Sequence, residues 1–300
     1  MMPHELAVLV AAFLPALSFA QGPTPLRPDK SIACGSCDAW NAAREPFRVF
    51  GNTYFVGPAG LSSVLVVSDK GHILLDGALP QSAAVIDANI RSIGFRAEDV
   101  RLIVTSHEHF DHVGGVAALQ RASGAIVASS SAGAQALRQG EPTPDDPQHG
   151  YGRKSMGFPP VPDVRSVADG ETLRVGDLAI TAHLTPGHTP GSTTWTWRSC
   201  EGARCLNIVY ADSLNPVSAP GFQFTRHRGR VDLFRQSIAR VQGLPCDILL
   251  SVHPELSDMA GKLKRRAERV DPDPFVDPAA CHAYGDAASQ SLDRRIEGER

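Results

Sequence analysis

An α/β protein, with strands at the centre and helices outside, is what this sequence predicts, and two patterns carry the reading. Short apolar runs bounded by Gly, Pro and Asp turns alternate with segments whose apolar residues recur at helical spacing. No fixed-period repeat is present. With 42% hydrophobic and 20% charged residues in 300 positions, the chain can bury a large core and is not disordered.

The elements follow in order. Val49–Val56, Ser63–Ser68 and His72–Leu75 read as strands, separated by Gly57-Pro58 and Asp69-Lys70-Gly71 turns. Over 82–93 the period changes. Ile86, Ile90 and Ile93 fall at i, i+4 and i+7, an amphipathic helix ended by Gly94. Leu102-Ile103-Val104 is a short strand, followed by a histidine-rich loop and a helix from about Val113. Residues 140–163 are rich in Pro and Gly and too long for a simple connection, so they form a candidate binding loop. Strands resume at 172–184, 193–198 and 206–210. Phe234, Ile238 and Val241 share one face of a helix over 231–241, and Asp247–Val252 is another buried strand.

Lys and Arg number 29 against 32 Asp and Glu, a formal charge of −3. That balance lacks the basic excess of a nucleic-acid binder. Residues 6–19 form an apolar run broken by Pro15 and too short to span a bilayer, ending at Ser18-Phe19-Ala20 before Gln21. This predicts a signal peptide over 1–20, a single mature domain over 21–300, and a soluble, exported, periplasmic protein. Export makes the six cysteines readable as disulfides. Cys200 and Cys205 flank a hairpin tip, and a Cys246–Cys281 bond would tie the tail to the body. Cys34 and Cys37 form a CxxC without the βαβ context of a redox motif, leaving a structural bond or two spare thiols.

The chemistry lies in four loops, each at the end of an apolar strand. Thr105 to His112 contain an HxHxDH string; Pro186-Gly187-His188-Thr189-Pro190-Gly191 project a histidine from a tight turn; Tyr210-Ala211-Asp212-Ser213 and Val252-His253-Pro254 complete the set. In an irregular loop, residues i and i+2 can converge on one ion while Asp111 and His112 turn towards a neighbouring one. Imidazoles with a carboxylate suit zinc. A lone histidine would mean little, but these occur in fixed order at strand ends. His72, His149, His183, His227 and His282 read as ordinary residues, His149 alone lying in the candidate binding loop.

These motifs resemble the metallo-β-lactamase superfamily, and within it subclass B3. The marks are GHILLDG at 71–77, SHEHFDHVGG at 106–115, TPGHTPGS at 185–192, TWTWRSCEGARC at 194–205, YADSLNP at 210–216 and LPCDILLSVHP at 244–254. The resemblance implies an αββα sandwich with the metal site at one edge and two zinc ions per chain. It implies His107, His109 and His188 on the first ion, and Asp111, His112 and His253 on the second. Ser213 stands where other subclasses place a zinc-binding cysteine. The implied reaction is hydrolysis of a β-lactam amide by a metal-bound hydroxide that Asp111 orients, conferring antibiotic resistance. The chain has no SxxK string for the serine route. Ser213 and Asn215 are expected to meet the substrate carboxylate, Asn215 replacing the Ser or Thr common in relatives. Gln148, Met156, Phe158 and Trp40 are candidates for the pocket wall. The rival readings are a thioester hydrolase resembling glyoxalase II or a lactone hydrolase on the same fold. The disulfide-like cysteines and the short segment after His253 weigh against the first. A non-catalytic zinc-binding module would need the same ligands with no chemistry.

Overall fold

A computed structural model describes residues 26–300, so the expected signal peptide lies outside the described residues. Two sheets carry the chain. The first holds seven strands in sequential order: β1 (Phe47–Phe50), β2 (Thr53–Phe55), β3 (Val64–Val66), β4 (His72–Leu75), β5 (Val100–Val104), β6 (Ile126–Ser130) and β7 (Val164–Val167). The second runs β12 (Ile248–Ser251), β11 (Arg204–Ala211), β10 (Thr193–Glu201), β9 (Leu178–Leu184), β8 (Thr172–Val175). The helices are α1 (Cys37–Trp40), α2 (Ser82–Ser92), α3 (Phe110–Val113), α4 (Val116–Ser123), α5 (Ser131–Gln139), α6 (Arg153–Met156), α7 (Arg228–Gln242), α8 (Met259–Ala267) and α9 (Ala280–Gly298).

Strand alternation sorts the apolar residues into layers. Ile73 and Leu75 face a middle core between the sheets, while Leu74 faces an outer core with Ile86, Ile90 and Leu119 from α2 and α4. Ile208, Tyr210, Ile248 and Leu250 join the middle core; Val209, Ala211 and Leu249 pack outward against Phe234, Ile238 and Leu292 of α7 and α9. Both faces of each central strand are therefore buried, which explains runs too apolar to alternate. The result is the expected αββα sandwich. Strands β4 to β7 are mutually parallel, as are β11 and β12, so successive loops emerge at the same ends. That geometry gathers the histidine loops at one edge.

Several expected elements divide where the backbone demands it. The strand expected over Val49–Val56 is a β1–β2 hairpin turning at Gly51, whose φ of +52° suits glycine and where an added Cβ would meet Ser199 Oγ at 2.5 Å. The run 172–184 breaks at Gly176, with φ of +55°. The helix expected from Val113 begins at Val116, preceded by the single turn α3. The segments β6 with α5, β7, α8 and α9 carry no strong periodic signal at their starts. Their Ala, Ser and charged residues are ordered by packing.

All six cysteines are paired, as Cys34–Cys37, Cys200–Cys205 and Cys246–Cys281. The second pair joins directly opposed residues at the tip of β10 and β11, and the CxxC closes on itself. No described helix is long and apolar enough to cross a membrane. Cys246–Cys281 closes a separation of 35 residues, linking the approach to β12 with α9. Replacing both cysteines by alanine should lower stability by about 3–4 kcal/mol from loop entropy. Urea unfolding of the oxidised protein checks this, and a midpoint equal to that of the parent at the same slope contradicts it.

Candidate metal centre

The loop after β5 is anchored before it turns. Asp76, buried beyond β4, accepts bonds from Ser106 N at 2.7 Å, Ser106 Oγ at 2.6 Å and Tyr210 Oη at 2.7 Å. The indole Nε1 of fully buried Trp195 donates to Thr105 O at 2.9 Å. The chain then coils through α3, which carries Asp111 and His112. Gly77 N donates to His112 O at 2.8 Å and Gly115 N to Ala78 O at 3.1 Å. A Cβ on Gly115 would collide with Gly77 O, which explains the glycines of HVGG. The His188 turn is fixed from both sides. Gly187 packs so tightly on the Phe234 ring that a side chain would collide, and Glu108 accepts from Gly191 N at 3.0 Å and Thr189 Oγ1 at 2.8 Å. Burial and the nearby Asp146 push the Glu108 carboxyl up to about 7.

Six side chains converge on these anchors. Ligand-capable atoms of His107, His109 and His188 lie within 4.8 Å of one another, as do those of His107, Asp111 and His112. His253 joins the second group: its Nε2 is 3.2 Å from His112 Nε2 and 3.5 Å from Asp111 Oδ2. Asp111 Oδ2 is 3.3 Å from His112 Nε2.

Three imidazoles have one nitrogen tied to a fixed acceptor, and the second nitrogen of His109, Nδ1, lies 3.4 Å from Gln148 Nε2 at the cavity wall. His107 Nδ1 is bonded to Asp212 Oδ1 at 2.6 Å, His109 Nε2 to Asp146 Oδ2 at 3.1 Å, and His188 Nδ1 to the Asn215 carbonyl at 2.7 Å. His107 Nε2 is buried with no partner. Burial and the neighbouring histidines hold His107 well below the usual imidazole range and bring His188 down to about 3, so both are neutral at physiological pH. Against burial, His112 and His253 keep the Asp111 carboxyl well below its ordinary value, hence ionised. The orphaned Nε2 of His107, the clustering of three imidazoles each backed by an acceptor, and the ionised Asp111 beside them fit a divalent metal, and the donor set fits zinc.

A cavity of about 280 Å³ opens over this floor. Trp40, Gln148, Met156, Ser213 and Asn215 line it, and Trp40 sits 5.5 Å from the His253 ring. Phe158 does not: it is 6% exposed and belongs to the outer core with α2 and α4, because the chain turns inward where Phe158 N donates to Gly140 O. His149 is exposed and bonds the Pro142 carbonyl. Phe110, Val217, Glu255 and Leu256 also line the cavity without having been anticipated. Asp146 was missed too, its only sequence signal being an acidic pair in the Pro-rich loop. A larger cavity of about 800 Å³, over Thr181 and His183, contains none of the six converging side chains.

The family model of the metallo-beta-lactamase superfamily matches residues 56–253. The chain belongs to that superfamily. Among solved metallo-β-lactamases, it is 51% identical to the Rm3 enzyme, covering 89% of this chain and 99% of that one, with a TM-score of 0.85. It is 46% identical to MEM-A1, a subclass B3 metallo-β-lactamase from a soil metagenome library, covering 87% and 98%, with a TM-score of 0.83. A curated relative, the hydroxyacylglutathione hydrolase of Cereibacter sphaeroides, is 28% identical over 198 residues, 64% of this chain. The chain spans only 65% of that relative's length.

The carboxylate behind His107 should matter to any metal this superfamily member holds. Asp212→Asn should weaken zinc affinity by about 10- to 100-fold, since an outer partner fixes both ring orientation and basicity. Competition with a chromophoric chelator measures it; parent-like affinity would show that Asp212 does not support His107.

Proposed function

We propose that this chain is a zinc-dependent β-lactamase of subclass B3 type, opening the β-lactam amide and conferring resistance. The observation that carries the reading is the convergence of His107, His109 and His188 beside Asp111, His112 and His253 on the floor of a small cavity. Similarity over 99% of the length of the Rm3 metallo-β-lactamase supports the substrate class. The first three residues would hold one zinc ion and the second three another. When bound, zinc supplies a lower pKa for water, from about 15.7 to about 7, and polarises the lactam carbonyl.

The chain's own residues do the rest. Asp111, kept ionised by His112 and His253, accepts a hydrogen bond from the attacking water at its carboxylate and fixes its direction. Ser213 Oγ and the Asn215 amide donate to the substrate carboxylate. Asn215 is held in place because its carbonyl accepts the Nδ1–H of His188, so substrate position and the first ligand set share one anchor. Trp40, Phe110 and Met156 supply an apolar wall that excludes water from the amide. The three disulfides suit an oxidising compartment and support export to the periplasm.

The thioester reading is kept by the hydroxyacylglutathione hydrolase relative. Zinc-loaded protein should open a penicillin and a carbapenem, lose that activity to a chelator, and leave a glutathione thioester intact. Thioester turnover without β-lactam opening reverses the assignment. His188→Ala removes a donor outright and should cost more than the roughly 100-fold of an outer partner. Steady-state kinetics and zinc content check it together, and unchanged values refute the ligand assignment.

A further inference from the structure

We propose that Glu255 sets the charge preference of the pocket, favouring substrates with a cationic substituent over those with an added anionic one. The inference rests on the β-lactamase reading above. Among the described residues lining the cavity there is no Lys or Arg, and Glu255 is the only carboxylate besides Asp111. Its side chain is 64% exposed, and Oε1 lies 3.8 Å from His253 Nδ1, so the charge stands at the mouth on the His253 side. Its backbone is fixed by a single tight turn over Pro254–Ser257, in which Leu256 N donates to His253 O at 3.0 Å and Asp258 N approaches Glu255 O at 3.3 Å. Leu256 and Val217, 40% and 38% exposed, form an apolar rim that would cover the substituent.

The lactam carboxylate is engaged on the His188 side, by buried Ser213 and by Asn215, whose carbonyl holds His188, leaving the charge on the His253 side to act on what projects there. A solvent-exposed charge pair contributes modestly, so the discrimination should be several-fold rather than absolute. It should also weaken in high salt.

The test compares zinc-loaded parent, Glu255→Gln and Glu255→Lys. The substrates are penicillins bearing an α-ammonium, no charge or an α-carboxylate on one acyl side chain, with a cephalosporin pair differing in ring-substituent charge. In at least one series, Glu255→Gln should reduce the kcat/KM ratio of cationic to anionic substrate by about fivefold. Glu255→Lys should invert that preference, and high salt should bring the parent towards Glu255→Gln. If the parent opens the uncharged penicillin but the ratios of all three proteins agree within about twofold in both series, Glu255 does not select charge. If the parent opens no penicillin, the β-lactamase reading falls and this inference with it.

Discussion

A buried imidazole has two nitrogens and no water to satisfy them, and the active edge of this protein is organised around that constraint. His107, His109 and His188 each spend one nitrogen on a fixed acceptor, Asp212, Asp146 and the Asn215 carbonyl. The acceptor chooses the tautomer and the ring angle, so the remaining nitrogen is aimed before any ion arrives. Three rings with centroids 4.7–4.9 Å apart would otherwise have no reason to stay clustered. Because the acceptors come from the β11 end, the long 140–163 loop and the Asn215 segment, one requirement ties together elements distant in sequence.

Meeting it dictates much of the surrounding fold. The loops must leave their strands at one edge, which the parallel pairings supply. They must also be rigid. Asp76 holds the β5 loop through Ser106 and Tyr210, and Glu108 holds the His188 turn through Gly191 and Thr189. Glycine occurs at Gly77, Gly115, Gly187 and Gly191 because backbone or ring atoms occupy the space a side chain would need. The middle core beneath supplies stiffness: Trp195 fills it and still donates its indole N–H to the loop above.

What could be read from the sequence divides along the same physical line. The candidate ligands were legible because metal chemistry restricts residue type and because they follow apolar strands at short, fixed spacings. Central strands such as β4 and β12 were legible because burial on both faces leaves uninterrupted apolar runs. Two of the three disulfide pairs could be read from local context, Cys200–Cys205 at a hairpin tip and Cys246–Cys281 beside a buried strand. Asp146 was not anticipated and Phe158 was expected in the pocket wall, because the 140–163 loop has no period and only tertiary contact decides which of its side chains face the site. The hairpin at Gly51 was hidden for a related reason, since its turn is needed to clear Ser199 from a strand far along the chain. Helices α5 and α9 are poor in large apolar residues and are held by what they pack against.

That last element shows why the site cannot be separated from the tail of the fold. Tyr284 on α9 donates its hydroxyl to the Asp212 carbonyl at 2.7 Å and approaches the Leu214 amide nitrogen at 3.4 Å. It brackets Ser213, while Asn215 next along supplies the acceptor for His188. The Cys246–Cys281 bond fixes α9 one helical turn before Tyr284 and on the same buried side. A strand end, a tyrosine and a disulfide therefore position one short loop whose carboxylate, hydroxyl and carbonyl face three different tasks. Asp212 orients a histidine, Ser213 faces the cavity, and Asn215 lines the cavity while its carbonyl holds His188. Movement of α9 would disturb all three together, so the helix belongs to the architecture of the active edge even though none of its side chains lines the cavity.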